Sequence, residues 1–254
     1  MAEKPEAQLT EDWLLGGRLN LRQPARGHRA GTDSVLLAAS LPLRPGGMLA
    51  DLGAGAGTVG LIAALEQPAL SVVLVERDPQ LSAISSGNIA GNSLSGRVRS
   101  VCADVTAPAR MLSEAGLKAG SCDCVAMNPP YYPAGLKQGS PDPSRHLAHV
   151  MPDAGLNAWI SSARRLLKPG GDLVVIHTAE ALPELLRSLE KGFGAVQIKP
   201  VHALAERAAI RVIVSARLQS RAPLSLLPPL VLHGADGAFT PQTDAIMRGA
   251  ARLV

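Results

Sequence analysis

MLADLGAGAGTVGLIA, from Met48 to Ala63, places an apolar strand, a glycine turn and the start of a helix in immediate succession. Asp51 ends the strand, and the turn contains Gly53, Gly55 and Gly57. Glycines at every second position let the backbone turn tightly and approach a ligand closely. A helix that begins at such a turn directs its unpaired amides back at that ligand. The stretch therefore predicts a strand–turn–helix unit with a ligand site at the carboxyl end of the strand.

Apolar strands and helical segments alternate along the rest of the chain, which is typical of an α/β protein with a parallel sheet. Strands are predicted at 48–51, 72–76, 98–102, 123–127 and 172–177, and a closing strand pair at 195–201 and 210–217. Helices are predicted at 32–39, 59–66, 79–92, from 108, at 154–167, at 183–189 and from 240. Residues 1–12 are expected to form a flexible tail and residues 13–254 a single domain.

A second acidic residue follows the next apolar run. Glu76 ends the run 70–75 and lies 23 residues beyond Gly53, where a carboxylate is suited to accept from both hydroxyls of a ribose. The alternative is a solvated charge at a strand end. Asp51, just before the turn, argues against a dinucleotide, because its carboxylate would repel a pyrophosphate and attract the sulfonium and amino groups of S-adenosylmethionine. A cationic cofactor is thus favoured.

The run SCDCVAMNPPYY, residues 121–132, delivers polar and planar groups at the carboxyl end of another apolar strand. The Asn128 side-chain carbonyl can accept one hydrogen bond from an NH₂ group, and the Pro129 carbonyl is suited to accept a second. Tyr131 offers a ring face for a planar group. These residues predict a clamp that holds an amide or amino-purine with its nitrogen outward. The alternative is that Asn-Pro-Pro only starts a loop.

Three motifs together resemble those of class I S-adenosylmethionine-dependent methyltransferases that modify exocyclic amino groups: residues 51–57, Glu76 and residues 128–131. The segment 15–39 is similar to the one that precedes the first strand in the tRNA1(Val) adenine-N6-methyltransferase subgroup. The resemblance implies a Rossmann-like, seven-stranded, mostly parallel sheet with an antiparallel last strand and helices on both faces. It also implies that residues 13–46 cover the cofactor and substrate.

Further site residues follow from this resemblance. Asn128, Pro129 and Tyr131 are expected to be catalytic, and Pro130 and Tyr131 to contact the substrate base. Asp33 is expected near the methionine end of the cofactor, and Asp104 on the adenine amino group of the cofactor. For both aspartates a capping role is the alternative. The full cofactor set predicted is Asp33, Asp51, Gly53, Gly55, Gly57, Glu76, Asp104 and Asn128.

The activity that the resemblance implies is N-methylation of adenine in RNA, namely tRNA near the anticodon. One alternative is N5-methylation of a glutamine in a protein such as a release factor, because the same clamp fits a carboxamide. Those enzymes carry a separate helical domain ahead of the catalytic one, and about 47 residues precede the first strand here. The other alternative is a cofactor-binding, RNA-associated protein without catalysis, for which an amine clamp has no purpose.

The net charge and the composition limit the kinds of partner that the protein is expected to bind. The net charge is +4, and basic residues cluster before the glycine turn, which suits a nucleic acid. Arg22, Arg26 and Arg29 are expected to contact tRNA phosphates. The six histidines and three cysteines are not spaced as metal ligands, so no metal is expected. No apolar run is long enough to span a membrane, and no signal segment opens the chain, so a cytoplasmic location is expected by default.

Overall fold

A nine-stranded sheet forms the centre of the protein and carries the predicted site along one edge. The computed structural model describes residues 8–26, 29–133, 150–151 and 155–253. The principal strands are β3 (Met48–Leu52), β4 (Ser71–Glu76), β5 (Val98–Cys102), β6 (Cys122–Met127), β9 (Leu167–Thr178), β10 (Phe193–His202) and β11 (Ala209–Leu218). Two-residue strands β12 (Ser225–Leu226) and β13 (Leu230–Val231) pair with β10. Strands β7 (Tyr132–Pro133) and β8 (Val150–Met151) form a separate parallel pair.

The strand order confirms the predicted fold. It runs β10-β11-β9-β6-β3-β4-β5 through the seven principal strands. Strands β9, β6, β3, β4 and β5 are mutually parallel, and β11 pairs antiparallel with both β9 and β10. The last strand is therefore the antiparallel one, as expected. The carboxyl ends of parallel strands lie side by side. This row of strand ends, here called the carboxyl edge, is where such sheets bind their ligands.

Helices cover both faces of the sheet. Successive side chains of a strand point to opposite faces, and because apolar side chains lie on both faces here, both need to be covered. In β3, Leu49 packs into one core, whereas Ala50 and Leu52 pack into the other. The helices of the first core are α1 (Thr32–Ala39), α2 (Thr58–Glu66), α3 (Pro79–Gly91) and α7 (Pro241–Met247). Those of the second core are α4 (Ala109–Glu114), α5 (Gly155–Leu166) and α6 (Leu182–Leu189). No helix in the described ranges has the length and apolar character to cross a membrane.

The amino-terminal segment corrects one prediction. Residues 9–12 were assigned to a flexible tail, but β1 (Leu9–Leu14) pairs antiparallel with β2 (Leu19–Pro24) as a hairpin. Strand β1 alternates between exposed and half-buried residues, but its sequence LTEDWL does not alternate between apolar and polar residues, so the sequence does not predict a strand there. It is held instead by its ladder with β2 and by Asp12, which accepts hydrogen bonds from Gln23 and Arg29. Strand β2 is anchored by buried Leu19 and Leu21.

Two boundaries also differ from expectation. Residues 168–171, between the predicted helix 154–167 and the predicted strand 172–177, belong to β9, whose pairing with β6 shifts between Leu167 and Asp172. The carboxyl-terminal helix covers only Pro241–Met247, with Thr240 as its cap, because its hydroxyl accepts from the Thr243 amide. The chain beyond it returns to α1, where the Leu253 amide donates to the Ala39 carbonyl.

Candidate active site

The glycine turn leaves β3 at the centre of the carboxyl edge. Gly53, Gly55 and Gly57 all adopt positive φ, at 72°, 57° and 94°. A side chain is also excluded sterically at two of them. A Cβ atom on Gly53 would lie 2.6 Å from the Trp159 ring, and one on Gly57 would lie 2.8 Å from a Leu74 methyl. The turn therefore needs glycine at these positions for conformation and for packing.

Asp51 is buried beneath the turn and faces α2. Its Oδ2 accepts a 3.0 Å hydrogen bond from the Gly60 amide. Burial raises the pKa of Asp51 to about 7, against the opposing Gly60 hydrogen bond and with a contribution from the negative charge of Glu76. Asp51 thus carries less than a full charge near neutral pH. The full negative charge that the sequence predicts at this position is therefore only partly present.

Glu76 ends β4 and reaches back to the glycine turn. Its two carboxylate oxygens accept 2.9 Å hydrogen bonds from the Gly55 amide and the Asp78 amide. The side chain is buried, so these bonds fix its orientation. Each carboxylate oxygen has a second lone pair, which leaves capacity to accept from a hydroxyl group. The structure therefore brings Glu76 together with the turn, as the spacing predicted.

Asp104 lies just beyond the end of β5 and caps the following turn. Its Oδ1 accepts 2.7 Å hydrogen bonds from the amide and the hydroxyl of Thr106. This is the capping arrangement that was the alternative to a contact with the cofactor. The two arrangements are compatible, because a carboxylate offers about four acceptor positions.

The Asn-Pro-Pro-Tyr motif begins where β6 ends, beside the glycine turn. Leu52 pairs with Met127 of β6 and with Val75 of β4, so Gly53 and Asn128 leave the sheet at one level. Glu76, the residue after Val75, lies at the same level, as the last residue of β4. Asn128 and Pro130 are half-buried and Pro129 is buried. The register therefore places the predicted clamp next to the predicted cofactor turn.

Tyr131 lies in a group of polar side chains rather than alone. Its hydroxyl is 2.7 Å from Asn128 Oδ1 and 2.7 Å from Asp33 Oδ2. Burial, followed by the charge and hydrogen bond of Asp33, raises the pKa of Tyr131 well above its usual range. The hydroxyl is therefore protonated and donates. Asp33 contacts the clamp through Tyr131, and its expected contact with the methionine end of the cofactor stays a prediction.

Two residues of this group were not found from the sequence. Arg211 lies on β11 opposite Thr178 of β9, and its Nε donates a 2.9 Å hydrogen bond to Asp33 Oδ2. Its guanidinium carbon lies 4.8 Å from the centre of the Tyr131 ring. His177, near the end of β9, packs edge-on to the same ring at 5.1 Å. Both residues come from strands far from the motif in sequence, and only the strand order brings them to this edge.

The predicted phosphate-binding arginines differ in their surroundings. Arg29 donates to Thr10 and Asp12, both at 2.7 Å, and so ties the segment before α1 to the hairpin. Arg22 pairs with Glu11 at 2.9 Å on an exposed strand. Arg26 is exposed just beyond β2. His28, from the same cluster, lies outside the described residues.

Within the described ranges, no group of three histidine, cysteine, aspartate or glutamate side chains is arranged to hold a metal ion. Cys122 and Cys124 are buried in the sheet as free thiols.

Comparisons with known proteins agree with this architecture. The family model described as methyltransferase small domain matches residues 28–203, more than half of the chain. The tRNA1(Val) (adenine(37)-N6)-methyltransferase of Aeromonas hydrophila is 28% identical over 214 residues, which cover 84% of this chain and 85% of that protein. A crystal structure described as a predicted O-methyltransferase from Agrobacterium tumefaciens has a TM-score of 0.73 and 30% identity, and the match covers 87% of this chain and 97% of that one.

A further solved structure, at 20% identity, shares the fold. The 16S rRNA methyltransferase of T. thermophilus, in complex with AdoMet and guanosine, has a TM-score of 0.57 over 86% of this chain and 52% of that one. The predicted enzyme class and cofactor are confirmed by the family match. The chain therefore belongs to the methyltransferase small domain family and is an S-adenosylmethionine-dependent methyltransferase.

Proposed function

We propose that this enzyme transfers the methyl group to the exocyclic amino nitrogen of an adenine in tRNA. The proposal rests on the position of Asn128. The residues before Asn128 and Gly53 are paired in the sheet, so Asn128 leaves the sheet directly beside Gly53. An amide acceptor at that point lies next to the turn at which the cofactor binds. Similarity to proteins named tRNA1(Val) (adenine(37)-N6)-methyltransferase supports adenine in tRNA as the substrate.

The residues around the glycine turn suit S-adenosylmethionine, which supplies an electrophilic methyl group on a sulfonium. Glu76 is oriented by two backbone amides, so it is prepared to accept from ribose hydroxyls without further ordering. Asp104 lies at the end of the next strand, where its carboxylate can accept from the amino group of the cofactor's adenine. The amides at the start of α2 face the same region.

The chemistry that the clamp supplies is orientation of a nitrogen lone pair. In adenine this lone pair is delocalised into the ring and is a poor nucleophile. Hydrogen bonds from the amino group to Asn128 Oδ1 and to the Pro129 carbonyl favour a more tetrahedral nitrogen, with its lone pair aimed at the methyl group. Alignment of two reactants can supply about 7–11 kcal/mol of a barrier in favourable cases. With S-adenosylmethionine bound beside the turn, an in-line displacement would form the N–C bond as the S–C bond breaks, and the proton lost from the methylated nitrogen would pass to solvent.

The location of the target base follows from its need to reach Tyr131. A base must leave its stack to lie on this ring, which costs a few kcal/mol and less for a base that is already unpaired. A tRNA loop is therefore a better substrate than a duplex. Arg26 is exposed near the hairpin and is the candidate for a phosphate contact.

Transfer of labelled methyl to separate pools of unmodified tRNA, RNA-free protein and DNA tests the proposal. We expect label in tRNA with the wild-type enzyme and a loss of at least 100-fold with Asn128→Ala. Arg217→Ala is the control, because Arg217 pairs with Asp172 away from the clamp. Label in a protein glutamine would instead establish the carboxamide alternative. Cofactor binding without transfer to any pool would contradict the proposal.

A further inference from the structure

Asn128 Oδ1, the atom that would accept a hydrogen bond from an adenine amino group, already lies within hydrogen-bond distance of the Tyr131 hydroxyl. The Tyr131 hydroxyl lies 2.7 Å from both Asn128 Oδ1 and Asp33 Oδ2. A phenol has one proton to donate, so the two oxygens share it. The Asn128 side-chain carbonyl is therefore within hydrogen-bond distance of a donor of the protein itself.

The ring that would receive the base is also covered. The Arg211 guanidinium carbon is 4.8 Å from the ring centre of Tyr131, within the range of a cation–π contact. Arg211 is held there by its 2.9 Å ion pair with Asp33. The Arg211 and Asp33 side chains are 26% and 25% exposed, so this ion pair is partly shielded from solvent. A base cannot lie on that face of the ring while the guanidinium occupies it.

His177 supports the ring from another direction. Its ring meets that of Tyr131 at 69°, with 5.1 Å between centres. Burial lowers the pKa of His177 to about 4, so the imidazole is neutral at physiological pH. Its Nδ1 accepts a 2.8 Å hydrogen bond from the Thr178 amide, which leaves the proton on the other nitrogen. His177 is buried and packs against the Tyr131 ring from within the protein, whereas the Arg211 side chain is 26% exposed to solvent.

We propose that Arg211 is a positioning residue that competes with the substrate base. Together with Asp33, it holds Tyr131 on Asn128 and covers the ring, and it withdraws when an adenine stacks there. The adenine amino group then takes the place of the Tyr131 hydroxyl on Asn128 Oδ1, and the hydroxyl stays on Asp33. This inference rests on the proposed function, because it assumes that a base binds at Tyr131.

A purely structural Arg–Asp pair is the alternative, and the same strand provides one for comparison. Arg217 lies six residues further along β11, and its Nε donates to Asp172 Oδ1 at 2.9 Å. Both arginines are paired through Nε at the same distance, but only Arg211 lies on Tyr131. Arg217→Ala therefore matches Arg211→Ala in chemistry and differs in location.

Adenosine binding in the presence of saturating S-adenosylhomocysteine tests the competition. The nucleoside has no phosphate, so the loss of a positive charge does not weaken its binding directly, and the saturating ligand blocks the cofactor site. We expect Arg211→Ala to bind adenosine about two- to five-fold more tightly than wild type, as the release of one cation–π contact predicts. Arg217→Ala should bind it like wild type. Thermal unfolding of each variant confirms that it is folded.

A second measurement tests the inference even if Arg211→Ala is less stable than the wild type. The chain has two tyrosines, so ring-labelled tyrosine with Tyr132→Phe assigns the NMR signals of Tyr131. We expect adenosine to shift these signals in the wild type and Arg211→Lys to shift them without adenosine. Adenosine affinity that is unchanged or weaker in Arg211→Ala, or absent in both proteins, would overturn the inference. The proposed function fails by a different result, namely no methyl transfer from wild type to tRNA.

Discussion

At the scale of single residues, Asp51 shows how a buried carboxyl couples folding to pH. Its pKa rises from 3.8 to about 7 on folding, because burial disfavours the charged form. Between these values the unfolded chain is ionised at this group while the folded chain still holds its proton. Asp51 therefore reduces stability as pH rises from about 4 to 7, by up to about 4 kcal/mol, and has a constant effect above that range.

Asp51→Asn removes this titration and keeps an acceptor for the Gly60 amide. We expect the free energy of unfolding of the variant, relative to wild type, to increase from pH 5 to pH 8. Urea unfolding of both proteins at the two pH values measures the difference. Parallel pH profiles would show that Asp51 is already ionised throughout this window in the folded protein, which would contradict its raised pKa.

At the scale of elements, α2 lies close to the sheet because it contains Gly60. A Cβ atom there would overlap a Leu74 methyl and lie 2.9 Å from a Val72 methyl. We expect Gly60→Ala to destabilise the protein by about 1–3 kcal/mol through overpacking. Gly87 in α3 is the matched control, since it is exposed and a Cβ there meets nothing within 4 Å.

Gly87→Ala should stabilise the protein by about 0.5–1 kcal/mol, because alanine is the better helix former. Urea denaturation of the two variants and the wild type gives both values. Equal effects of the two substitutions would contradict the account of how α2 packs.

The elements also show what the sequence can and cannot predict. Strands β3 and β6 are mainly apolar and are followed at once by Gly53 and Asn128, and β4 is an apolar run that ends in Glu76, so their pattern predicts both the sheet and its functional edge. Strand β1 buries no residue and carries no such pattern. Arg211 reaches Tyr131 only because β11 inserts antiparallel beside β9, which local periodicity does not specify. The sequence predicts Asp33 and Tyr131 as site residues, but it predicts neither the contact between them nor Arg211.

At the scale of the whole molecule, the modest net charge of +4 makes the location of free arginines important for RNA binding. Arg18, Arg22 and Arg29 all form ion pairs with acidic residues of the protein. We expect Arg26→Ala to weaken tRNA binding and to reduce the slope of log K against log salt by about one. Arg29→Ala should mainly destabilise the hairpin, since its guanidinium is held by Thr10 and Asp12.

Titration of labelled tRNA at several salt concentrations, with thermal unfolding alongside, separates these two effects. A salt slope unchanged in Arg26→Ala would exclude this arginine from the phosphate contacts.

The identity of the methylated atom tests the central claim most directly. Unmodified tRNA is treated with enzyme and labelled cofactor, digested to nucleosides and analysed by mass spectrometry against standards of N6-methyladenosine, 1-methyladenosine and 2′-O-methyladenosine. The arrangement of Asn128 and Pro129 beside the glycine turn predicts N6-methyladenosine from the wild type and none from Asn128→Ala. Methyl on a ring nitrogen, on a ribose oxygen or on another base would contradict the account.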